Sequence, residues 1–186
     1  MEILLVDGFT DSNSPTQIIF DELIQMRHRI SSLNLAEEGF ANFMSGAERD
    51  SYHDDHNLVT LSQRKSAELV KVTNGLILCY PLKNDIFPPI VKSWFERVFI
   101  PGVSFTFTES GKVKGALKNL RFINFLILAE PNTRIKKWSD PNSSLLRAIR
   151  MSAGVRCKTF LSIGENIGDL RIAAQKNLNK IRQISS

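Results

Sequence analysis

Between Gly8 and Thr16 the chain reads Gly-Phe-Thr-Asp-Ser-Asn-Ser-Pro-Thr, with hydroxyls at Thr10, Ser12, Ser14 and Thr16 and an amide at Asn13. Hydroxyls that run into a helix N-terminus meet free backbone N–H groups and the positive end of the helix dipole, which suits an anion such as a phosphate. The same residue types are also ordinary helix caps, and Ser14 followed by Pro15 is placed for that role. Asp11 opposes an anion, because its carboxylate would repel one. Two further segments share the geometry of a loop leaving a buried strand. Pro81-Leu82-Lys83-Asn84-Asp85 follows the apolar run Gly75 to Tyr80, and Ala129-Glu130-Pro131-Asn132-Thr133 follows Phe122 to Leu128. Open α/β sheets place ligands at the carboxyl ends of such strands.

Other chemistry is poorly served. His53-Asp54-Asp55-His56 lacks the helical spacing of a zinc pair and has no later histidine to complete a set, so it reads as a solvated loop. His28, His53 and His56 are the chain's three histidines, all in its first third, which leaves no Ser-His-Asp or Cys-His nucleophile near the later loops. Cys79 and Cys157 both fall at strand ends; Cys79 reads as a small core hydrophobe, and no disulfide framework is indicated.

Strands and helices alternate to hold these loops. Strands are expected over residues 2–7, 30–35, 75–80, 121–128 and 158–163. Helices are expected from Pro15 to about 28, with Ser14 as cap, and over roughly 58–73, 88–99, 143–152 and 167–184. Pro88 and Pro89 open the third of these, and Ile90, Val91, Trp94, Phe95, Val98 and Phe99 form its apolar stripe. Residues 103–115 form an excursion before the fourth strand. Such alternation predicts an α/β three-layer sandwich around a five-stranded parallel sheet of order 2-1-3-4-5. In that order the loops 8–14, 81–87 and 129–141 surround one crevice.

The composition fits one globular domain over residues 1–186, with 42% hydrophobic and 23% charged residues. No apolar run approaches the roughly 20 residues of a membrane helix, so membrane insertion is not expected. Met1 to Val6 lacks a basic region and cleavage site and reads as a strand, which points to the cytoplasm. The net charge of +5 is unevenly spread: residues 1–92 carry 8 basic and 13 acidic side chains, residues 93–186 carry 16 and 6. The basic clusters, Arg134-Lys136-Lys137, Arg147-Arg150 and Arg156-Lys158, lack the aromatic interleaving of single-strand nucleic-acid binders, so nucleic acid is not the expected partner.

The run from residue 81 to 99 resembles the NAD(P)H:quinone oxidoreductases of flavodoxin-like fold, a group that includes the FMN-dependent azoreductases. Pro81, Leu82, Pro88, Lys92, Trp94, Glu96, Arg97, Val98 and Phe99 stand where that family's third strand and following helix carry their pattern. Gly102-Val-Ser-Phe105-Thr-Phe107, the turn from Gly115 to Arg121, and the scattered Asn34-Leu35, Phe43, Glu48 and Tyr52 match further segments, as do Leu161-Ser-Ile-Gly164 and Asp169-x-Arg171. The resemblance implies a flavodoxin-like fold and an FMN cofactor, with FAD disfavoured by the compact chain. It also implies NAD(P)H as electron donor, a quinone or similar small-molecule acceptor, and a homodimer. It places the flavin phosphate at Thr10, Ser12, Asn13, Ser14 and Thr16. The ring falls against Pro81, Leu82, Lys83, Asn84 and Asp85, and against Ala129, Glu130 and Asn132. From their charge alone, Arg134, Lys136 or Lys137 would suit a pyridine-nucleotide phosphate. Two departures stand out. Lys83-Asn84-Asp85 replaces an aromatic pair, and Glu130-Pro131 replaces a glycine pair whose N–H groups would face the flavin. A second reading is therefore a flavodoxin-like module that has lost tight flavin binding and serves a partner.

Overall fold

The computed structural model describes residues 1–10, 14–41, 43–54, 56–83, 87–131, 141–154 and 156–185. In chain order the elements are β1 (Glu2–Asp7), α1 (Thr16–Gln25), β2 (Arg29–Asn34), α2 (Gly46–Asp50), α3 (Leu61–Val72), β3 (Gly75–Leu82) and α4 (Pro89–Val98). Then follow β4 (Phe105–Phe107), β5 (Val113–Gly115), β6 (Phe122–Ala129), α5 (Pro141–Ala153), β7 (Lys158–Gly164) and α6 (Ile167–Ser185). Five strands pair in parallel in the order β2-β1-β3-β6-β7, the expected 2-1-3-4-5 once the small hairpin is set aside.

Strand periodicity divides the core into two layers. Leu4, Val6, Leu76, Leu78, Tyr80, Ile123, Phe125 and Ile127 face one side, where Val70 of α3, Trp94 and Val98 of α4, and Leu145 and Ile149 of α5 cover them. Ile3, Leu5, Ile77, Cys79, Phe122 and Leu126 face the other, under Ile19 and Leu23 of α1 and Leu170, Ala174, Leu178 and Ile181 of α6. Because β3 and β6 are covered on both faces, they are nearly continuous apolar runs and not alternating ones.

Three details differ from the sequence expectation. Helix α1 stops at Gln25, before residue 28. The N–H groups of Met26 and Arg27 bond the carbonyls of Leu23 and Ile24, and Arg27 takes a left-handed φ of 59° that turns the chain into β2. The polar stretch after β2 holds the short α2, started by a capping box in which Ser45 and Glu48 exchange side-chain and backbone bonds. The excursion is an antiparallel β4–β5 hairpin. It is tied to the end of α5, where a Cβ on Gly115 would lie 2.4 Å from the Ser152 carbonyl oxygen.

A buried ion pair fastens the segment between β2 and α3 to α4. Arg97 Nε meets Glu48 Oε1 at 2.6 Å with both side chains almost fully buried, and the guanidinium lies 4.9 Å from the centre of the Phe40 ring. Gln63 of α3 donates to the Arg97 carbonyl at 3.1 Å. Burial alone would push the Glu48 carboxyl up, but hydrogen bonds from the Ser45 backbone and from Arg97, with the Arg97 charge, hold it below the usual range. The clamp fixes α4, and with it the wall of the crevice above β3.

Candidate functional site

Neighbouring strands β1, β3 and β6 end on the same edge of the sheet, β3 and β6 level with each other at Leu82 and Ala129 and β1 earlier, at Asp7 opposite Cys79. The ladder runs one residue further on two of them. Gly8 N–H donates to the Cys79 carbonyl at 2.8 Å, and Glu130 N–H donates to the Leu82 carbonyl at 3.2 Å. Both N–H groups are thus spent on the sheet. Gly8 also lies close against α4: a Cβ there would sit 2.4 Å from Val91 Cγ2 and 3.1 Å from Tyr80 Cβ, so a side chain at this turn would clash with α4.

The first loop closes on a residue that the sequence reading did not single out. Asp7 is 7% exposed. Its Oδ1 accepts the Phe9 N–H at 2.9 Å, and its Oδ2 accepts the Ser14 hydroxyl at 2.8 Å. Ser14 Oγ also lies 2.6 Å from Thr16 Oγ1 and accepts the Thr16 N–H at 3.2 Å. The regular helix begins at Thr16 with Pro15 as its cap residue and no side-chain capping bond, so Ser14 lies one residue before the cap position that the sequence suggested for it. The first turn of α1 contains no acidic residue, so Asp7 supplies the negative charge that faces it. Among the described residues no ion pair reaches Asp7. The signal was present in the sequence, since Asp7 is the first ionisable residue after the buried run Ile3 to Val6.

Cys79 forms the floor beneath this loop. Burial pushes its thiol up to about 12; a hydrogen bond with Thr16 works against that shift and the Asp7 charge adds to it. The thiol stays protonated and is no nucleophile. Cys157, at the start of β7, is likewise buried, and its thiol is raised to about 11.

Of the expected site residues, Thr10 is exposed, Ser14 half-buried and Thr16, the first residue of α1, buried. Pro81 is half-buried and Lys83 exposed, whereas Leu82, 2% exposed, packs in the core under α4. Ala129 is buried and Glu130 exposed. Ser12, Asn13, Asn84, Asp85 and Asn132 lie outside the described residues, as do Asp11 and the Arg134-Lys136-Lys137 cluster. Phe87 returns an aromatic ring at the end of the second loop, edge-on to Tyr80 at 5.3 Å between centroids. His53 and His56 do not converge on a metal: among the described residues no group of three or more His, Cys, Asp or Glu could hold one.

A sheet of this order, with its loops gathered at the switch point between β1 and β3, is that of flavodoxin-like proteins. The family model described as flavodoxin-like fold matches residues 1–155, and the chain belongs to that family. Among its relatives is an FMN-dependent NADH:quinone oxidoreductase of Vibrio vulnificus, 28% identical over 64% of this chain and 57% of that protein. Another, from Pseudomonas aeruginosa, is 30% identical over 58% of this chain and 49% of that one. The chain thus spans about half the length of these two relatives. Among solved structures, an NAD(P)H:quinone oxidoreductase from Methanothermobacter marburgensis superposes with a TM-score of 0.69 at 15% identity, covering 99% of this chain and 98% of that one. An FMN-dependent NADH-azoreductase from Bacillus anthracis, in complex with FMN, gives 0.66 at 15% identity over 98% and 97%. These superpositions share the fold. No described helix is long and apolar enough to cross a membrane.

Proposed function

We propose that the chain is an FMN-dependent oxidoreductase that passes two electrons from NADH or NADPH to a quinone or similar acceptor, working in the cytoplasm as a homodimer of single-domain subunits. One observation carries this reading: the carboxyl ends of β1, β3 and β6 bring the hydroxyl-lined N-terminus of α1 beside the two strand ends where the flavodoxin-like fold holds its ligand. The names of the relatives support it.

The residues fit the outline of a flavin site. Thr10, Ser14 and Thr16, with Ser12 and Asn13, would hold the phosphate; Pro81, Lys83, Asn84 and Asp85, with Ala129, Glu130 and Asn132, would border the ring, while Leu82 packs in the core below. When bound, FMN supplies the two-electron redox chemistry. The protein's part is to orient it and exclude water. α4, held by the Glu48–Arg97 clamp, fixes the wall, and Tyr80 with Phe87 closes the apolar floor beneath the second loop. The third loop offers few donors to negative charge developing on reduction. Pro131 has no N–H, and the Glu130 N–H is given to Leu82.

The test is an absorbance spectrum of the purified chain after FMN loading and removal of the excess. Stoichiometric bands near roughly 375 and 450 nm are expected, with the longer-wavelength band lost on adding NADH and restored by a benzoquinone. A colourless protein that refuses FMN would overturn the reading in favour of a flavin-free, partner-binding module.

A further inference from the structure

We infer that the edge of the sheet at β7 is a docking face for an anionic lipid surface, with exposed aliphatic side chains flanked by lysines and arginines that hold the chain reversibly against a bilayer. The inference goes beyond the flavin reading and stands on a different part of the molecule.

β7 is the last strand in the sheet order and pairs with β6. Thr159, Leu161 and Ile163 alternate onto one face of it. Leu161 is 48% exposed and Ile163 37%, although the sheet they belong to is covered by helices on both sides. The end of α5 flanks that face: Arg150 Nε donates to Thr159 Oγ1 at 3.2 Å, and Arg147 lies one turn earlier on the helix. α6 runs along the other flank. Ser162 Oγ reaches the Ala173 carbonyl at 3.4 Å, and Asn177 Nδ2 donates to the Leu161 carbonyl at 3.0 Å. Lys176 and Lys180 share that stripe of α6, three and seven residues beyond Ala173, and both are exposed, as is Lys158 at the start of β7.

The sign of the charge selects the partner. Between residues 141 and 183 the chain carries 8 basic and 2 acidic side chains, and the two acids, Glu165 and Asp169, fall beyond the end of β7. A second copy fits poorly, because symmetric pairing would set the patch against itself, like charge on like. The Asn177 bond also occupies the Leu161 carbonyl, which an added strand would need. A nucleic acid would use the charge but not Leu161 and Ile163, which are aliphatic and offer no ring for a base to stack on. An anionic bilayer uses both. Its headgroups attract the basic side chains, each worth about fivefold in affinity near the surface. Its acyl boundary takes the aliphatic ones.

The experiment is co-sedimentation of the purified chain with vesicles of phosphatidylcholine mixed about three to one with phosphatidylglycerol, and with vesicles of phosphatidylcholine alone. The mixed vesicles should bind the chain about tenfold or more tightly than the neutral ones, and that binding should weaken by about tenfold between roughly 50 and 300 mM salt. Lys176→Gln with Lys180→Gln should weaken it roughly twentyfold, and Leu161→Ser with Ile163→Ser roughly tenfold. Lys71→Gln with Lys92→Gln, on α3 and α4, should change it less than about twofold. All six side chains are exposed, so each variant should keep its fold, which thermal melts confirm. Equal affinity for the two vesicles, or none for either, overturns the inference. So does a loss in the Lys71 and Lys92 pair as large as that in the α6 pair, because net charge and not this face would then attract the lipid. A DNA duplex bound more tightly than the mixed vesicles at equal salt would make the face a nucleic-acid surface. Loss of a dimer in the Leu161 and Ile163 variant, read by sedimentation velocity, would make it a contact between copies. Either result replaces lipid as the partner. None of these measurements needs bound flavin, so their outcome leaves the flavin reading to its own test.

Discussion

Glu48 and Asp7 are buried to nearly the same extent, at 3% and 7% exposure, yet they live in opposite surroundings. Glu48 has Arg97 at 2.6 Å, the Ser45 N–H at 2.7 Å and a place in a cap, and its carboxyl is held below the usual range despite burial. Asp7 accepts from a backbone N–H and a hydroxyl, both neutral, at the mouth of a loop where the chain turns toward a ligand crevice. A carboxylate with a matched cation inside the molecule holds structure together. One with only neutral donors at a strand end has no such partner among the described residues. The comparison separates a carboxylate clamped by a cation from one held by neutral donors, and it can be broken by mutation.

The largest effect belongs to the clamp. Glu48→Ala strands the Arg97 guanidinium without its partner and should cost about 3–5 kcal/mol in urea denaturation, because a buried charge is left uncompensated. Asp7→Ala should cost less than about 2 kcal/mol, since it removes hydrogen bonds and leaves no buried cation behind. Replacing both clamp partners, Glu48→Leu with Arg97→Met, should recover most of the loss. If Asp7→Ala proved as costly as Glu48→Ala, Asp7 would be a structural residue and the contrast would fail.

Next comes the backbone that carries each carboxylate. Gly8, the residue after Asp7, has Val91 Cγ2 2.4 Å from where a Cβ would fall, whereas Gly46, two residues before Glu48, has nothing within 4 Å. Gly8→Ala should therefore destabilise by about 1–3 kcal/mol through overpacking against α4. Gly46→Ala, at the first position of α2, should be neutral or slightly stabilising, within about 1 kcal/mol. Both are read from urea midpoints at constant m-value.

The fold was legible in the sequence because its signals are regional. Apolar runs of strand length, the double proline before α4 and the alternation of elements all survive small errors at the ends. The site was legible only as loops. Ser14 was expected as the cap from its type and the proline after it, but the cap falls on Pro15, and Ser14 accepts the Thr16 N–H in the turn before the helix. That Asp7 would take the Ser14 proton was not, because a contact across seven residues depends on how the loop closes and on no local pattern. Leu82 shows the same limit: at the last position of β3 its identity cannot say which face it points to, and the strand register sends it into the core. The capping box of α2 was written in Ser45-x-x-Glu48 and stood apart from any apolar run that would have announced a helix.

Acid distinguishes the carboxylates less strongly. Because the folded-state value of Glu48 is lowered, its contribution is present above the unfolded value, near 4.3, and is lost as pH falls through the folded one. Stability should therefore decline below about pH 4.5, and Glu48→Gln should flatten that part of the profile. Urea midpoints measured from pH 6 to pH 3 give the slopes; an unchanged slope in Glu48→Gln would remove Glu48 from the acid response.

The smallest effect is on the two thiols, and it repeats the comparison on neutral groups. Burial is the main cause of the shift at both: Cys79, beside the Asp7 charge, is pushed up to about 12, and Cys157, beside the opposing charge of Arg150, to about 11. Both folded values lie above the unfolded thiol's roughly 8.5. The stabilisation is therefore complete below that pH and is lost as pH rises from about 8.5 through each folded value in turn. At pH 8 neither thiol should react measurably with a disulfide reagent in the folded chain, since the thiolate is the reactive form and both sulfurs are buried. As pH is raised toward 10 Cys157 should be labelled first, and Asp7→Asn should speed labelling of Cys79 while leaving Cys157 unchanged. Peptide mapping after timed alkylation reads both sites at once. Equal rates at Cys79 with and without the Asp7 charge would mean that the carboxylate is not felt beneath the loop.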